Sequence, residues 1–245
     1  MSRFHIRPEA VRGDRVAFDA QETHHLARVL RLRAGDLVQA VDGAGHELTV
    51  RLTRVGAREA EGAVLARAAR ATESRLHLTL AQAIAKGDKL EGVIRMATEL
   101  GAARIVPLIT ERTVVSPEAA ARRLLRWRRV AKEAAKQSGR AVIPEVAAAG
   151  TLDAWLAARA KDGLLLCLWE SEPVGLDERL PAGPVTRATV VVGPEGGLSL
   201  DEVERLRAAG AVVAGLGPRI LRTETAGPVA VALLQSRYGD LGARA

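Results

Sequence analysis

Thr189-Val190-Val191-Val192-Gly193-Pro194-Glu195-Gly196-Gly197-Leu198-Ser199-Leu200-Asp201-Glu202 carries a strand, a glycine turn and a helix start in immediate succession. The β-branched run favours a buried strand. Ser199 and Glu202 have the spacing of a capping box, in which each side chain satisfies the other's free backbone amide. A strand that feeds straight into a helix is the repeating unit of a parallel α/β sheet. Ligands of such sheets bind beyond the carboxyl ends of the strands, and glycine there lets the backbone approach a ligand closely. Glu195 sits among the glycines, where it can accept hydrogen bonds from a ribose or an amine. The competing reading is a plain tight turn.

A second strand end weighs against that alternative. Val212-Val213-Ala214-Gly215-Leu216-Gly217-Pro218 again enters a glycine turn and continues as Arg219-Ile220-Leu221-Arg222-Thr223-Glu224-Thr225-Ala226. Ile220 and Leu221 can enclose a flat apolar ring, backbone groups can read its edge, and Arg222 to Thr225 offer polar contacts. Leu168-Trp169-Glu170 supplies a third strand end. Together they predict a pocket for a small cofactor with an apolar ring and polar substituents, such as an adenosine derivative.

Outward from these turns, strands and helices alternate from Leu76 onward. Strands are predicted at 76–84, 104–109, 164–169, 189–192 and 211–216. Helices are predicted at 89–100, 117–138, 152–160, 200–209 and in a last segment ending near Tyr238. Ser116-Pro117 reads as an N-cap followed by proline at the first helical position. Residues 1–72 differ: alternating strands at Arg15–Asp19, Leu37–Val41, His46–Val55 and Glu61–Ala69, one helix at Thr23–Leu30, and a hairpin signal at Asp42-Gly43 predict a small β-barrel. Arg70 to Arg75 reads as a linker, giving domains 1–72 and 73–245.

Composition narrows the function. No apolar run in the 245 residues approaches the ~18 needed to cross a bilayer. Met1-Ser2-Arg3-Phe4-His5 lacks the apolar core of a signal peptide. The lone cysteine, Cys167, reads as an inert buried thiol, so a reducing cytoplasm is expected. There is no Gly-x-x-x-x-Gly-Lys-Ser/Thr phosphate loop and no Gly-x-Gly-x-x-Gly after the first α/β strand. Five histidines show no metal spacing, so no metal is expected. His24 and His25 read as polar helix surface. The formal charge of +7 comes mostly from arginine, whose planar fork suits phosphate. Aromatic residues are 2%, too few for a base-stacking platform, so an RNA partner would be held by charge and shape. Helix 117–138 carries Arg122, Arg123, Arg126, Arg128 and Arg129, beside an apolar side of Leu124, Leu125, Trp127, Ala131, Ala134 and Ala135. It reads either as an RNA-facing helix or as a solvated one. The last helix shows Val229, Ala230, Leu233 and Leu234 on one side, the pattern of core packing.

The two glycine turns, 193–199 and 216–226, resemble the signature of the RsmE family of SPOUT-class ribosomal RNA methyltransferases. His25-Leu26-Ala27-Arg28-Val29-Leu30-Arg31, Lys86-Gly87-Asp88-Lys89-Leu90-Glu91, Glu99-Leu100-Gly101, Glu111-Arg112 and Gln137-Ser138-Gly139-Arg140 extend the resemblance through nearly the whole chain. The resemblance implies a PUA-like barrel followed by an α/β SPOUT methyltransferase domain with a C-terminal trefoil knot, an exception to the rule against knots. It implies S-adenosylmethionine as cofactor, a homodimer that completes the active site across its interface, and N3 of one 16S ribosomal RNA uridine in the small subunit as target. The expected cofactor contacts are Leu168, Trp169, Glu170, Val192, Gly193, Pro194, Glu195, Gly196, Leu216, Gly217, Ile220, Leu221, Thr223, Thr225 and Ala226.

Methyl transfer to N3 requires loss of the uracil proton and stabilisation of charge on the uracil oxygens. Arg222 is the expected source of that stabilisation. Arg112 and Arg140 are candidates for RNA or active-site contact across the dimer, and Glu195 is a weak candidate for the base. Arg28, Arg31, Arg122, Arg126, Arg129 and Arg140 are expected to face RNA. One departure from the family is Ala226-Gly227-Pro228. Proline lacks an amide proton and disfavours a helix interior, so the last helix is predicted to start near Gly227 or Pro228, leaving Thr223–Ala226 as a loop. The rival functions are a non-catalytic RNA-binding ribosome-assembly protein and a different adenosine-nucleotide enzyme.

Overall fold

The computed structural model describes residues 3–69 and 72–242. The chain forms two compact units, one within Met1–Glu73 and Ala135–Ile143, the other within Ser74–Ala134 and Pro144–Ala245.

The first unit is a six-stranded sheet of β1 (Arg3–His5), β2 (Val11–Arg12), β3 (Arg15–Phe18), β4 (Leu37–Val41), β5 (His46–Val55) and β6 (Ala60–Ala69), in the order β1-β4-β5-β6-β3-β2. Only the β1–β4 pairing among them is parallel. Alternation reads through to burial: Val16 and Phe18 of β3 and Leu48, Val50 and Leu52 of β5 point into one core with Phe4 and Leu26. The helix starts earlier than Thr23. α1 (Ala20–His24) is capped by Asp19, whose Oδ1 accepts from the Glu22 amide at 2.8 Å. It widens into one π turn over His25–Val29, closed by Leu30 N–H to His25 O at 3.0 Å. Arg31 then takes a left-handed backbone, φ 55°, and the Leu32 amide returns to Leu26 O, a helix-ending geometry. His24 is exposed, but His25 is half-buried against the Phe4 ring and close to Lys136 Nζ, so it is not plain helix surface.

Of the expected linker, Arg70 and Ala71 lie outside the described residues. Glu73 is not free chain. Its carboxylate accepts from Arg140 Nε at 3.1 Å and Nη2 at 2.6 Å, and the Thr72 hydroxyl accepts from the Ala141 amide at 3.1 Å. Arg140 is 5% exposed. The expectation that it faces RNA or a second protomer is therefore corrected: its fork is spent on Glu73 inside the first unit.

The second unit is an all-parallel sheet: β7 (His77–Ala83), β8 (Arg104–Ile109), β9 (Glu145–Val146), β10 (Gly150–Thr151), β11 (Leu164–Leu168), β12 (Arg187–Val192) and β13 (Val212–Ala214). Its order is β10-β8-β7-β12-β11-β13, with β9 beside β8. Strands such as β11, Leu-Leu-Leu-Cys-Leu, are continuously apolar because helices cover both faces of such a sheet. The helices are α2 (Lys89–Glu99), α3 (Pro117–Ser138, of which the residues from Ala135 belong to the first unit), α4 (Leu152–Ala158), α5 (Leu176–Arg179), α6 (Leu200–Ala208) and α7 (Thr223–Tyr238). α3 buries Ala120, Trp127, Ala131, Ala134 and Ala135, while Leu125 is exposed, so the apolar side is narrower than expected. In α7, Ala230, Val231 and Leu234 are buried and Leu233 is exposed.

α7 overturns the expected loop at 223–226. The helix begins at Thr223, and the amides of Thr225 and Ala226 both donate to Arg222 O at 2.8 Å. Pro228 is tolerated inside it because tertiary anchors hold the first turn. The Thr223 hydroxyl is bonded to Gly193 O, and Gly227 packs directly against β7.

Candidate functional site

The carboxyl ends of β12, β11 and β13 are neighbours in the sheet. They open on one cavity of about 600 Å³. Its lining includes Leu168, Trp169 and Glu170 after β11, Val192 to Gly197 after β12, Gly215 to Arg222 after β13, and Thr223, Glu224 and Ala226 of α7. Nearly all the expected cofactor contacts are thus brought together. Thr225 is the exception: it is exposed and absent from the lining. Because the helix already runs from Thr223, residues 223 and 226 share a face, and 225 is rotated away from it.

The turn after β12 is shaped by its glycines. A side chain at Gly193 would bring Cβ to 2.9 Å from Gly197 C and Leu198 N, so only glycine lets the turn close on itself. Gly197 N–H donates to Pro194 O at 3.0 Å. The capping box forms: Ser199 N–H donates to Glu202 Oε2 at 2.9 Å, and Glu202 N–H to Ser199 Oγ at 3.3 Å. Glu202 also accepts from the Glu111 amide through Oε1 at 2.8 Å, which joins the 110–113 turn to the start of α6. Arg112, in that turn, donates from Nη1 to Gly196 O at 2.6 Å, a contact within its own chain.

The turn after β13 is held from the other side. Trp169 N–H donates to Ala214 O at 3.1 Å, Leu176 N–H to Gly215 O at 2.8 Å, and Gly215 N–H to Val174 O at 2.8 Å. Leu168 is buried and Leu221 half-buried, which leaves apolar faces toward the cavity. Ile220 stands 83% exposed at its open side. Arg222 is the N-cap residue of α7, and its Nη1 lies 3.9 Å from Glu224 Oε1.

Lys89, inside the family-like stretch Lys86–Glu91 but outside the expected site residues, lines the cavity between two carboxylates. Its Nζ donates to Glu195 Oε1 at 3.0 Å and lies 3.6 Å from Glu224 Oε2. The backbone amide of Lys86 donates to the same Glu195 oxygen at 3.0 Å. Partial burial pushes the Glu195 carboxyl up, but these bonds outweigh it and hold the pKa below the ordinary value. The hydrogen bond to Glu195 raises Lys89 in turn. A carboxylate whose proton affinity has been lowered is a poor general base, which weighs against the base candidacy of Glu195; its place in the cavity lining agrees with the expected cofactor contact. Its bonds to Lys86 and Lys89 also tie the glycine turn to the start of α2. Glu224, Gly197, Gly215, Pro218 and Arg219 also line the cavity beyond the expected set. Cys167 is buried within β11, and desolvation pushes its thiol to about 12.

Of the expected RNA-facing residues, Arg28, Arg31, Arg122, Arg126 and Arg129 are exposed. Arg126 is also engaged with Glu91 at 2.7 Å and Asp88 at 3.6 Å.

Residues 72–235 match the family model described as an RNA methyltransferase domain, and residues 18–65 match that of an RNA methyltransferase PUA domain. The chain is 35% identical over 237 residues to a ribosomal RNA small subunit methyltransferase E of Synechocystis, covering 96% of this chain and 77% of the relative. It is 35% identical over 216 residues to the protein of that name from Bacillus subtilis, covering 84% of each. A crystal structure of a ribosomal RNA small subunit methyltransferase E from Neisseria gonorrhoeae bound to S-adenosyl methionine superposes with a TM-score of 0.88 at 34% identity, covering 98% of this chain and 99% of that one.

Proposed function

The chain belongs to the ribosomal RNA small subunit methyltransferase E family, and from that premise we propose that it methylates N3 of one uridine of 16S ribosomal RNA in the small subunit. The enzyme is an S-adenosylmethionine-dependent methyltransferase. The observation that carries this reading is the cavity at the three strand ends, closed on one side by the glycine turn 193–197 and on the other by residues 215–222.

The cavity fits the cofactor. About 600 Å³ lies within the usual range for a small-molecule site. Glycine at 193 keeps the turn closed on Gly197 and Leu198, which holds its backbone along the cavity wall. Leu168, Val192, Ile220 and Leu221 supply apolar walls, and the backbone from Gly193 to Gly196 and at Leu216-Gly217 supplies the polar edge. Thr223 and Ala226 close the floor. When bound, S-adenosylmethionine supplies a methyl group activated by its sulfonium charge.

The chain's own residues orient the uracil and compensate charge. Uridine N3 is protonated at neutral pH, so negative charge grows on the uracil oxygens as that proton leaves. Arg222 is the group we assign to that charge, since it lines the cavity and its side chain is 83% exposed. Arg112 is assigned to RNA or active-site contact through the Gly196 turn it braces. Exposed Arg28, Arg31, Arg122, Arg126 and Arg129 suit RNA phosphates, to which arginine donates bidentately. We further infer a homodimer with its active site completed across the interface, a trefoil knot in residues 73–245, closure of the first unit into a PUA-like barrel, and action in the cytoplasm. Among the described residues no helix is long and apolar enough to cross a membrane.

The test is incubation with S-adenosylmethionine and purified small subunits, followed by mass mapping of the ribosomal RNA. One methyl group at N3 of a single 16S uridine is expected. Methylation only at carbon 5 or at a ribose hydroxyl overturns the proposed target, and cofactor binding without any methylation favours a non-catalytic assembly protein.

A further inference from the structure

Gln82, the penultimate residue of β7, is 1% exposed and does not line the cavity. Its Nε2 donates to Thr223 Oγ1 at 2.9 Å, and Thr223 Oγ1 donates to Gly193 O at 2.6 Å. The direction of this relay is forced. A carbonyl oxygen only accepts and a threonine hydroxyl has one proton, so the hydroxyl gives to Gly193 and receives from Gln82. Nε2 also lies 3.5 Å from Gly193 O itself. The relay joins β7, the glycine turn after β12 and the first turn of α7, and two of its three members line the cavity.

Two observations argue against simple core filling. Gln82 Oε1 is buried without a hydrogen-bond partner. An apolar side chain of similar size would avoid that penalty, so the amide is retained for its donor end. In addition, a Cβ at Gly227 would collide with Gln82 Oε1. A side chain at 227 would displace the Gln82 amide, so the present approach of α7 to Gln82 depends on glycine there.

We propose that Gln82 is a positioning residue for the cofactor site, locking the Gly193 turn to α7 through the Thr223 hydroxyl. It thereby sets affinity for S-adenosylmethionine and leaves the methyl-transfer step to other groups. The proposal rests on the cofactor use inferred above, so wild-type binding is measured first by calorimetry on the full chain. If the wild type binds no S-adenosylmethionine, the proposed function itself fails.

If the wild type binds, Gln82→Met is expected to raise the dissociation constant and the cofactor KM about tenfold, the scale of one lost buried hydrogen bond. The kcat at saturating cofactor should stay within about twofold. Gly227→Ala, which presses on the amide from the opposite side, should raise KM in the same direction. Gln82→Met combined with Thr223→Val should bind no worse than Thr223→Val alone, because one relay cannot be broken twice. Unchanged KM in both Gln82→Met and Gly227→Ala overturns the proposal. So does a fall of kcat and affinity in step with the melting temperature, which would mark Gln82 as merely structural, or full additivity in the double variant.

Discussion

Replacing Glu202 with glutamine removes one acceptor from a site that uses two. Glu202 is 1% exposed, and its oxygens accept from the Ser199 amide at 2.9 Å and the Glu111 amide at 2.8 Å. A glutamine has one oxygen, so its NH₂ must face one of those N–H donors. Hydrogen bonds to a charged group contribute about 1.5–3 kcal/mol each, and an orphaned buried donor costs about 1–3 kcal/mol. Losing one bond and weakening the other gives roughly 2–4 kcal/mol for Glu202→Gln. Glu202→Ala orphans both amides and leaves a cavity, for about 3–6 kcal/mol. At about 2–4 °C per kcal/mol for a chain of this size, glutamine should lower the melting temperature on the order of 5–15 °C. Urea denaturation measures the loss directly, as a shift in midpoint at unchanged slope. Cofactor affinity should fall too, because the same carboxylate fixes the 110–113 turn whose Arg112 braces Gly196. A loss below about 1 kcal/mol for Glu202→Gln would refute the reasoning, since it would mean that neither amide depends on the second oxygen.

Other consequences are as direct. Arg222→Ala should lower kcat by about 10²–10³, the scale of one lost charge-stabilising donor, and leave cofactor binding nearly unchanged; loss of binding in calorimetry would reassign Arg222 to the cofactor. Neutralising Arg122, Arg126 and Arg129 together should weaken RNA binding and flatten its dependence on log salt by up to ~0.7–0.9 for each phosphate that is no longer neutralised. An unchanged slope returns α3 to the role of a solvated face. Glu195 has a depressed pKa, so its ion pair with Lys89 adds stability above the unfolded carboxylate pKa and loses it as pH falls through the lower folded value. The gap in melting temperature between wild type and Glu195→Gln should therefore persist at pH 7 and close in acid; a gap constant down to pH ~3 contradicts the assignment.

Much of the fold was legible in the chain because its signals are local. The period-two burial of Leu48, Val50 and Leu52, the Ser199–Glu202 capping box and the Ser116-Pro117 start of α3 each depend on residues within a turn or two of one another. Backbone propensity and nearest-neighbour hydrogen bonds decide such features before any tertiary contact forms. The Asp19 cap of α1 was equally local, yet it fell outside the expected helix.

What the sequence by itself determined is therefore the strand–glycine turn–helix unit at 189–202 and the second strand-to-glycine turn at 212–218; that their ends meet at one cavity follows from the parallel order β12-β11-β13. What only the tertiary structure decided is how side chains far apart in the chain pair there. The Thr223–Gly193 bond draws α7 back to residue 223 in spite of Pro228, which moves Thr225 off the cavity. Lys89 claims Glu195, and Glu73 claims Arg140. These pairings span some 30 to more than 100 residues, and no local pattern encodes them. They form only once the chain path has brought their partners within hydrogen-bond distance, with burial then making an unpaired alternative costly.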